Sequence, residues 1–176
     1  MKYLLDGQET ERLIFRRIND SDFNDWLKFF EDPITSLHWV EEKETPIIAC
    51  EKWYQKQNWR DENDKGGMNV LIEKSSGRLV GHCGLLVQTV DDVSELEIGY
   101  SLLPEFWNQG YAFEAVARCK EYAFQNDYSD SLISIISHTN LPSQKVALKN
   151  GMVIEKETDY HENRVYIFRV FKSLLK

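Results

Sequence analysis

Glu95-Leu-Glu-Ile-Gly-Tyr-Ser-Leu-Leu-Pro-Glu-Phe-Trp-Asn-Gln-Gly-Tyr-Ala-Phe-Glu-Ala-Val116 is the stretch from which the fold can be worked out. Its first eight residues alternate between polar or small and apolar side chains, which is the period of a half-buried strand. Pro104 ends that strand because proline has no N–H to donate to a neighbouring strand. From residue 112 onward apolar residues recur at helical spacing. The stretch therefore predicts a strand, a short loop and a helix.

Gly110 stands at the mouth of the predicted helix. A glycine there lets an anion approach the backbone, where the free N–H groups of the first turn and the helix dipole favour negative charge. A phosphate would need no cationic side chain at such a place. The alternative is that Gly110 only makes a tight turn, and these residues alone leave both interpretations open.

The rest of the chain supplies strands and helices in the order β-α-α-β-β-β-α-β-α-β-β, which predicts one α/β domain over residues 1–176 with a mixed sheet. Strands are expected at 12–18, 68–74, 78–90, 95–102, 132–136, 152–159 and 164–171, and helices from Asn19, Thr45, Gly110 and Asn140. Gly81 and Gly84 fall inside a strand, which indicates a bulge or a close backbone approach, or else simple packing against a large neighbour.

The composition argues against several classes of function. A net charge of −8 disfavours nucleic-acid binding, which needs a basic face, and no apolar run approaches the roughly 20 residues of a membrane span. Cys50, Cys83 and Cys119 lack metal-ligand spacing, so no metal site is expected, and they fit reduced thiols of a cytoplasmic protein. The N-terminus is too quickly polar for a signal peptide.

Four collinear stretches give the sequence a resemblance to a known family. They are Thr10-Glu-Arg-Leu-Ile-Phe-Arg-Arg17, Leu79-Val-Gly-His-Cys-Gly-Leu85, the block from Glu97 to Ala115, and Asn140-Leu-Pro-Ser-Gln-Lys-Val-Ala-Leu-Lys-Asn-Gly-Met152. Together they resemble the GNAT superfamily of acetyl-CoA-dependent N-acetyltransferases, in particular the branch of the ribosomal-protein N-terminal (alanine/serine) acetyltransferases. The resemblance implies a mixed, mostly antiparallel sheet of about seven strands, flanked by about four helices and splayed at a central cofactor cleft.

The resemblance also implies that acetyl-CoA is the co-substrate. The family's cofactor loop has the form Arg/Gln-x-x-Gly-x-Gly/Ala, which Gly110 and Ala112 match and Trp107 does not. Backbone N–H groups of about residues 108–113 would hold the pyrophosphate, and a bulge near Tyr100 to Leu102 would expose the strand to the pantetheine arm, with one N–H near Leu102 polarising the thioester carbonyl. The implied cofactor contacts are Tyr100, Ser101, Leu102, Asn108, Gln109, Gly110, Tyr111, Ala112, Phe113, Asn140 and Ser143.

Asn140 matches the family's asparagine that contacts the pantetheine arm, although asparagine also suits the N-cap of a helix. Many members place a tyrosine seven residues later, which protonates the leaving thiolate; here that position is Ala147. In the branch that this chain resembles, the serine at position 143 is thought to lie near the cofactor sulfur. Ser143 is therefore a candidate sulfur contact or proton donor, against plain helix-start chemistry.

The attacking amine must be neutral, so a base has to accept its proton. Glu97 is the first candidate, because it lies on the central strand and faces away from the Ile98 and Tyr100 side, and a carboxylate near aromatic residues can have a raised pKa. A cross-strand charge on an exposed face is the alternative. His138 could be another base or a substrate contact, or simply an exposed histidine.

Substrate selection in this fold usually falls to the first two helices, their connection and the last hairpin. Trp39 could line the acceptor pocket, and Glu41, Glu42 and Glu162 could attract a cation; all four could equally belong to a solvated surface.

The sequence predicts an N-acetyltransferase that moves acetyl from acetyl-CoA to a primary amine, of a protein N-terminus or a small molecule, as a monomer or homodimer without nucleic-acid or membrane partners. Two alternatives stand beside it. One is a catalytically weak GNAT-fold module that binds acetyl-CoA as a sensor or interaction partner, which Ala147 favours. The other is an unrelated α/β protein whose Gly110 turn binds nothing.

Overall fold

A computed structural model describes residues 2–40 and 44–172, and its strands form one seven-stranded sheet. The strands are β1 (Leu13–Arg16), β2 (Gly66–Glu73), β3 (Leu79–Val90), β4 (Val93–Leu102), β5 (Ser131–Ser137), β6 (Val153–Tyr160) and β7 (Asn163–Phe171). The helices are α1 (Phe23–Glu31), α2 (Pro46–Glu62), α3 (Tyr111–Gln125) and α4 (Leu141–Lys149). None of the helices in these two ranges is both long and apolar enough to cross a membrane.

The strands lie in the order β1-β2-β3-β4-β5-β7-β6. Among the described pairs, β4 with β5 is parallel and every other pair is antiparallel. The predicted mixed, mostly antiparallel sheet with about four helices is confirmed. The parallel pair stands in the middle of the order, so the sheet consists of two antiparallel parts that meet there.

Helices cover both faces of the sheet, as two neighbouring residues of β3 show. The His82 ring lies 4.2 Å from the Trp26 ring of α1 and 4.6 Å from the Trp53 ring of α2. Cys83 Sγ lies 3.5 Å from Cys119 Sγ of α3 on the other face. Because successive side chains of a strand point to opposite faces, α1 and α2 form one layer and α3 the other, where α4 packs beside it.

Gly81 and Gly84 allow neighbouring strands to approach β3 closely. A Cβ at Gly81 would lie 2.3 Å from Ser101 O, and one at Gly84 would lie 2.0 Å from Gly67 O. No side chain fits at such distances. The interpretation of these glycines as sites of close backbone approach is confirmed, and it shows why β3 can pair tightly on both edges.

Helix α4 begins and ends where the sequence predicted. Asn140 Oδ1 accepts a hydrogen bond from Ser143 N (3.1 Å), which caps the first turn. At the other end Gly151 (φ +80) follows the last turn, where its N–H donates to Leu148 O (3.0 Å) and Met152 N–H donates to Ala147 O (3.1 Å). These two bonds form a Schellman motif, which needs a left-handed residue and so favours glycine.

The core beneath α1 and α2 contains a neutral histidine. His82 is 0% exposed, and neither ring nitrogen has a hydrogen-bond partner among the described residues. Desolvation lowers the pKa of His82 from its ordinary 6.5 to about 3, although the nearby Asp22 carboxylate opposes the shift. The packed core therefore disfavours protonation of this ring.

Lowering the pH should destabilise the fold through His82. Between pH 6.5 and 3 the unfolded chain binds a proton at His82 that the folded chain does not, so stability is full above this window and falls as the pH falls through it. Between pH 7 and pH 5 we expect wild type to lose about 2 kcal/mol more unfolding free energy than His82→Leu. Urea denaturation of both proteins at the two pH values measures the difference.

Val80→Ala is the control for that experiment. It removes buried apolar volume from the same strand without touching a titratable group, and should lower the stability equally at both pH values. The same pH dependence in wild type and His82→Leu would show that the histidine is not held neutral by the fold.

Candidate active site

β4 and β5 are parallel neighbours that pair at one position, Glu97 with Ile133. Beyond it the strands diverge, and a cleft of about 240 Å³ opens between β4, β5, α2 and the start of α4. The predicted splay is confirmed. Of the predicted site residues, the lining of the cleft includes Trp39, Glu97, Tyr100, Ser101, Asn140 and Ser143.

The expected bulge near Tyr100 to Leu102 is wrong. β4 pairs with β3 in one unbroken register from Val93 to Leu102. The register shift lies one strand further, between Leu71 and Ile72 of β2 against β3. Continuous pairing along its other edge keeps β4 regular, so the cleft arises from the divergence of β5 and not from a distortion of β4.

The edge of β4 that faces the cleft offers backbone groups to a ligand. Ser134 Oγ of β5 donates to Ile98 O (2.9 Å), which places this carbonyl on the β5 side. Because backbone groups alternate in direction along a strand, those of Tyr100 and Leu102 also point to that side. Trp107 Nε1 donates to Leu102 O (2.8 Å). Both backbone groups of Tyr100, which lines the cleft, thus face it beyond the last β5 pairing, and the N–H of Leu102 points to the same side of β4.

The turn from β4 to α3 places a row of free donors at the helix start. Asn108 (φ +58) and Gly110 (φ +85) take the left-handed conformation. The first backbone hydrogen bond of the helix runs from Glu114 N to Gly110 O (3.1 Å). Within the described chain, the N–H groups of residues 108–113 have no acceptor. They lie at the positive end of the helix dipole, where an anion is favoured.

Arg12 supports this turn. Its Nη1 donates to Gln109 O (2.9 Å), its Nε pairs with Glu114 Oε2 (2.7 Å), and its guanidinium lies 4.2 Å from the centre of the Tyr111 ring. A Cβ at Gly110 would lie 3.3 Å from Arg12 Nη2. Sequence reasoning used Arg12 only as part of a motif, and missed that it brings a cation to the predicted anion site.

Glu97 occupies the apex of the cleft and is 9% exposed. Gln88 Nε2 donates to its Oε2 (2.7 Å), and the backbone N–H of Ile135 donates to the carboxylate. Desolvation raises the pKa of Glu97; these two hydrogen bonds and the charges of Arg60 and Lys56 act against it, and the pKa remains raised. The side chain therefore lies inside the cleft and not on an exposed face of the sheet.

Asn140 and Ser143 line the cleft at the first turn of α4. Asn140 caps the helix, so the N-cap role considered for it in the sequence is present. Tyr100 OH donates to Ser143 O (3.2 Å), which links β4 to α4. Burial raises the pKa of Tyr100, so its hydroxyl stays protonated and keeps donating. Ala147, seven residues after Asn140, is buried.

Trp39 lies over the cleft from the connection between α1 and α2. It packs with Tyr160 against the apolar cluster that includes Ile133 and Ile135. Asn163 holds the same connection, because its Oδ1 accepts from Val40 N (2.6 Å). Trp39 is thereby held over the cleft.

Two residues considered for the acceptor, His138 and Glu162, do not line the cleft. His138 is exposed, its Nδ1 is 3.0 Å from Arg164 O, and it does not line the cleft. Glu162 lies in the exposed turn between β6 and β7. Glu41 and Glu42 fall outside the described residues. The structure does not bring His138 to Glu97.

Sequence reasoning missed the polar residues that surround Glu97. Trp53, Gln57 and Arg60 line the cleft from α2, and Gln88 lines it from β3. Two features of the sequence could have indicated these residues. The three α2 residues recur at helical spacing on one face, and Gln88 interrupts an otherwise apolar strand near its end.

Comparison with known proteins agrees with this architecture. Residues 12–153 match the family described as the acetyltransferase (GNAT) domain. The uncharacterized protein YkkB of Bacillus subtilis (strain 168) is 34% identical over 155 residues, which make up 86% of this chain and 80% of that protein.

Two solved structures share the fold. Ribosomal-protein-S5-alanine acetyltransferase from Vibrio fischeri is 19% identical, with a TM-score of 0.73 over 96% of this chain and 98% of that chain. Spermidine N-acetyltransferase from Vibrio cholerae, in complex with CoA and spermine, is 14% identical, with a TM-score of 0.72 over 93% of this chain and 98% of that chain. The family match and the identity to YkkB go further than the fold, and they show that this chain belongs to the GNAT family of acetyltransferases.

Proposed function

We propose that this acetyltransferase moves the acetyl group of acetyl-CoA to a primary amine by direct attack. The observation that carries the proposal is the place of Glu97. A buried carboxylate with a raised pKa stands at the apex of the cleft, and the free edge of β4 leads from it toward the donors of residues 108–113. The acceptor is a protein N-terminus or a small amine; of the two similar structures compared above, one is named for each kind of acceptor.

The turn before α3 fits the pyrophosphate of acetyl-CoA, which supplies an activated acetyl thioester. Six consecutive N–H groups, at Asn108 to Phe113, lack acceptors in the described chain, and Arg12 adds a cation beside Gly110. Tyr100 to Leu102 would pair with the pantetheine arm as a neighbouring strand does, and Asn140 would contact it from α4. Ser143, on the same helix turn, would stand near the sulfur.

Glu97 starts the reaction by accepting a proton from the acceptor ammonium, directly or through water in the cleft. The neutral amine attacks the thioester carbonyl carbon, the N–C bond forms and the C–S bond breaks. The N–H of Leu102 donates to the oxygen that becomes negative during the attack. Ser143 gives a proton to the thiolate and regains one from solvent, and the second amine proton leaves to solvent.

Ala147 favours a second candidate, an acetyl-CoA-binding module with weak chemistry, because no phenol stands at that position of α4. CoA release with a panel of primary amines separates the two candidates. The panel contains peptides with N-terminal alanine or serine, polyamines and amino acids. Binding of acetyl-CoA without release for any amine would support the module.

The proposal also includes the location of the protein and its domain organisation. We place it in the cytoplasm, because Cys50, Cys83 and Cys119 are free and buried. Residues 1–176 are taken to act as one domain, since the described strands form one sheet.

Gly110→Asp should abolish binding of acetyl-CoA. The new carboxylate repels the pyrophosphate, and an L-residue at φ +85 is strained. Calorimetric titration should show a dissociation constant at least about 100-fold higher than that of wild type. Gly7→Asp is the matched control, because Gly7 (φ +76) has the same backbone conformation and no atom within 4 Å of a Cβ. Equal affinity in both variants would exclude the turn as the anion site.

Glu97→Gln should lower kcat/KM by about 100-fold or more and leave the affinity for acetyl-CoA unchanged. Because the pKa of Glu97 is raised, wild-type activity should rise with pH as this carboxyl ionises, and the variant should lack that part of the profile. Glu95→Gln is the control: Glu95 lies two residues earlier on β4 and pairs with Arg169 (2.6 Å). Unchanged kcat/KM in Glu97→Gln would remove this carboxylate from the mechanism.

A further inference from the structure

Gln88 connects the buried carboxylate to a buried cation. Its Nε2 donates to Glu97 Oε2 (2.7 Å), and its Oε1 accepts from Arg60 Nη2 (2.8 Å). The direction of the amide is determined, because a guanidinium only donates and an ionised carboxylate only accepts. A chain of two hydrogen bonds therefore runs from Arg60 through Gln88 to Glu97.

Arg60 is fixed in place by its other hydrogen bonds. It is 4% exposed, and its Nη1 donates to Lys65 O (3.1 Å) and Val87 O (3.2 Å). These carbonyls come from the segment before β2 and from β3, so the guanidinium is anchored to the sheet. Among the described residues no ion pair joins Arg60 directly to Glu97, and the contact passes through the amide.

We propose that Arg60 and Gln88 are positioning residues of the acetyl-transfer site, which keep the Glu97 carboxylate ionised and aimed into the cleft. This inference rests on the proposed role of Glu97 as the base. Without the amide, the carboxylate would lose the donor on Oε2 and could rotate away from the cleft.

Several groups set the ionisation of Glu97 together. Arg60 and Lys56 face it from α2, Tyr160 interacts with it from β6, and the Ile135 N–H donates from β5. Desolvation opposes all of the cationic and donor contributions. Removing the Gln88 donor should therefore raise the pKa of Glu97, because a hydrogen bond to the charged form favours that form.

The test is a pH titration of the Glu97 carboxyl carbon by NMR in the full chain. Gln88→Met keeps the length of the side chain and removes the amide, and the pKa of Glu97 should rise by about one unit. Arg60→Lys keeps a buried cation without the guanidinium fork, and should shift the pKa in the same direction. If Gln88→Met does not fold, Arg60→Lys still tests whether the pKa of Glu97 depends on this hydrogen-bond chain.

Gln57→Met is the matched control. Gln57 lines the same cleft and its Oε1 accepts from Met68 N (3.0 Å), so the substitution also removes a buried amide. No hydrogen bond joins Gln57 to Glu97 in the described structure, and the pKa of Glu97 should stay in place. An unchanged pKa in Gln88→Met and Arg60→Lys, or an equal rise in Gln57→Met, would overturn the proposal.

Kinetics separate this inference from the proposed function. In Gln88→Met the acid side of the kcat/KM profile should move to higher pH by the same amount as the NMR value, with about 10-fold lower activity below it. The NMR titration needs neither acetyl-CoA nor an acceptor, so it reports on the amide even if Glu97 is not the base. A raised pKa without a shift in the kinetic profile would overturn the catalytic part of the inference.

Discussion

The pairing of β4 with β5 stops after one position, and the structure depends on what replaces the missing hydrogen bonds. A buried backbone group without a partner costs about 1–3 kcal/mol. At the apex, side chains supply the partners: Ser134 Oγ donates to Ile98 O, and the Glu97 carboxylate accepts from the Ile135 N–H. Beyond the apex Trp107 Nε1 donates to Leu102 O, no other side chain of the described residues hydrogen-bonds this edge, and the edge of β4 faces the cleft. The polar groups that the sheet leaves unpaired are the groups that a ligand can use.

The turn at Gly110 shows how a departure from the family pattern is accommodated. An arginine or glutamine in place of Trp107 would bring several donors, whereas the indole has one, and it is used on Leu102 O. Trp107 therefore stabilises the end of β4 and offers nothing to an anion. The donors left for an anion are the backbone N–H groups of residues 108–113 and the guanidinium of Arg12, which comes from the start of the chain. The proposed anion site is thus built from backbone geometry more than from side chains.

Local features of the sequence predicted the sheet and the turn, because they follow from neighbouring residues. The alternation before Pro104 and the glycine at position 110 both act within a few residues. The surroundings of Glu97 could not be predicted in this way, because Arg60, Gln88 and Ile135 reach it from three separate elements. His138 shows the opposite error. It lies two residues from Asn140 along the chain, but its ring turns to Arg164 O, away from the cleft. The distance along the chain predicts which residues are neighbours in sequence, but the tertiary contacts determine the direction of each side chain.

A buried carboxylate base must be both ordered and basic, and these two requirements conflict. The amide of Gln88, which lies between Arg60 and Glu97, resolves this conflict. A carboxylate in direct contact with arginine has a pKa lowered by about 1–3 units, which makes it a weak base. A carboxylate buried without donors has its pKa raised, but its ionised form is unstable and nothing orients it. Here the hydrogen bonds of Arg60 to Lys65 O and Val87 O hold its guanidinium away from direct contact with Glu97. The neutral amide of Gln88 donates to Glu97 in its place. Orientation then comes from the amide, while desolvation still dominates the pKa. In the proposed mechanism, the position of one buried glutamine would allow the same carboxylate to be ordered and basic.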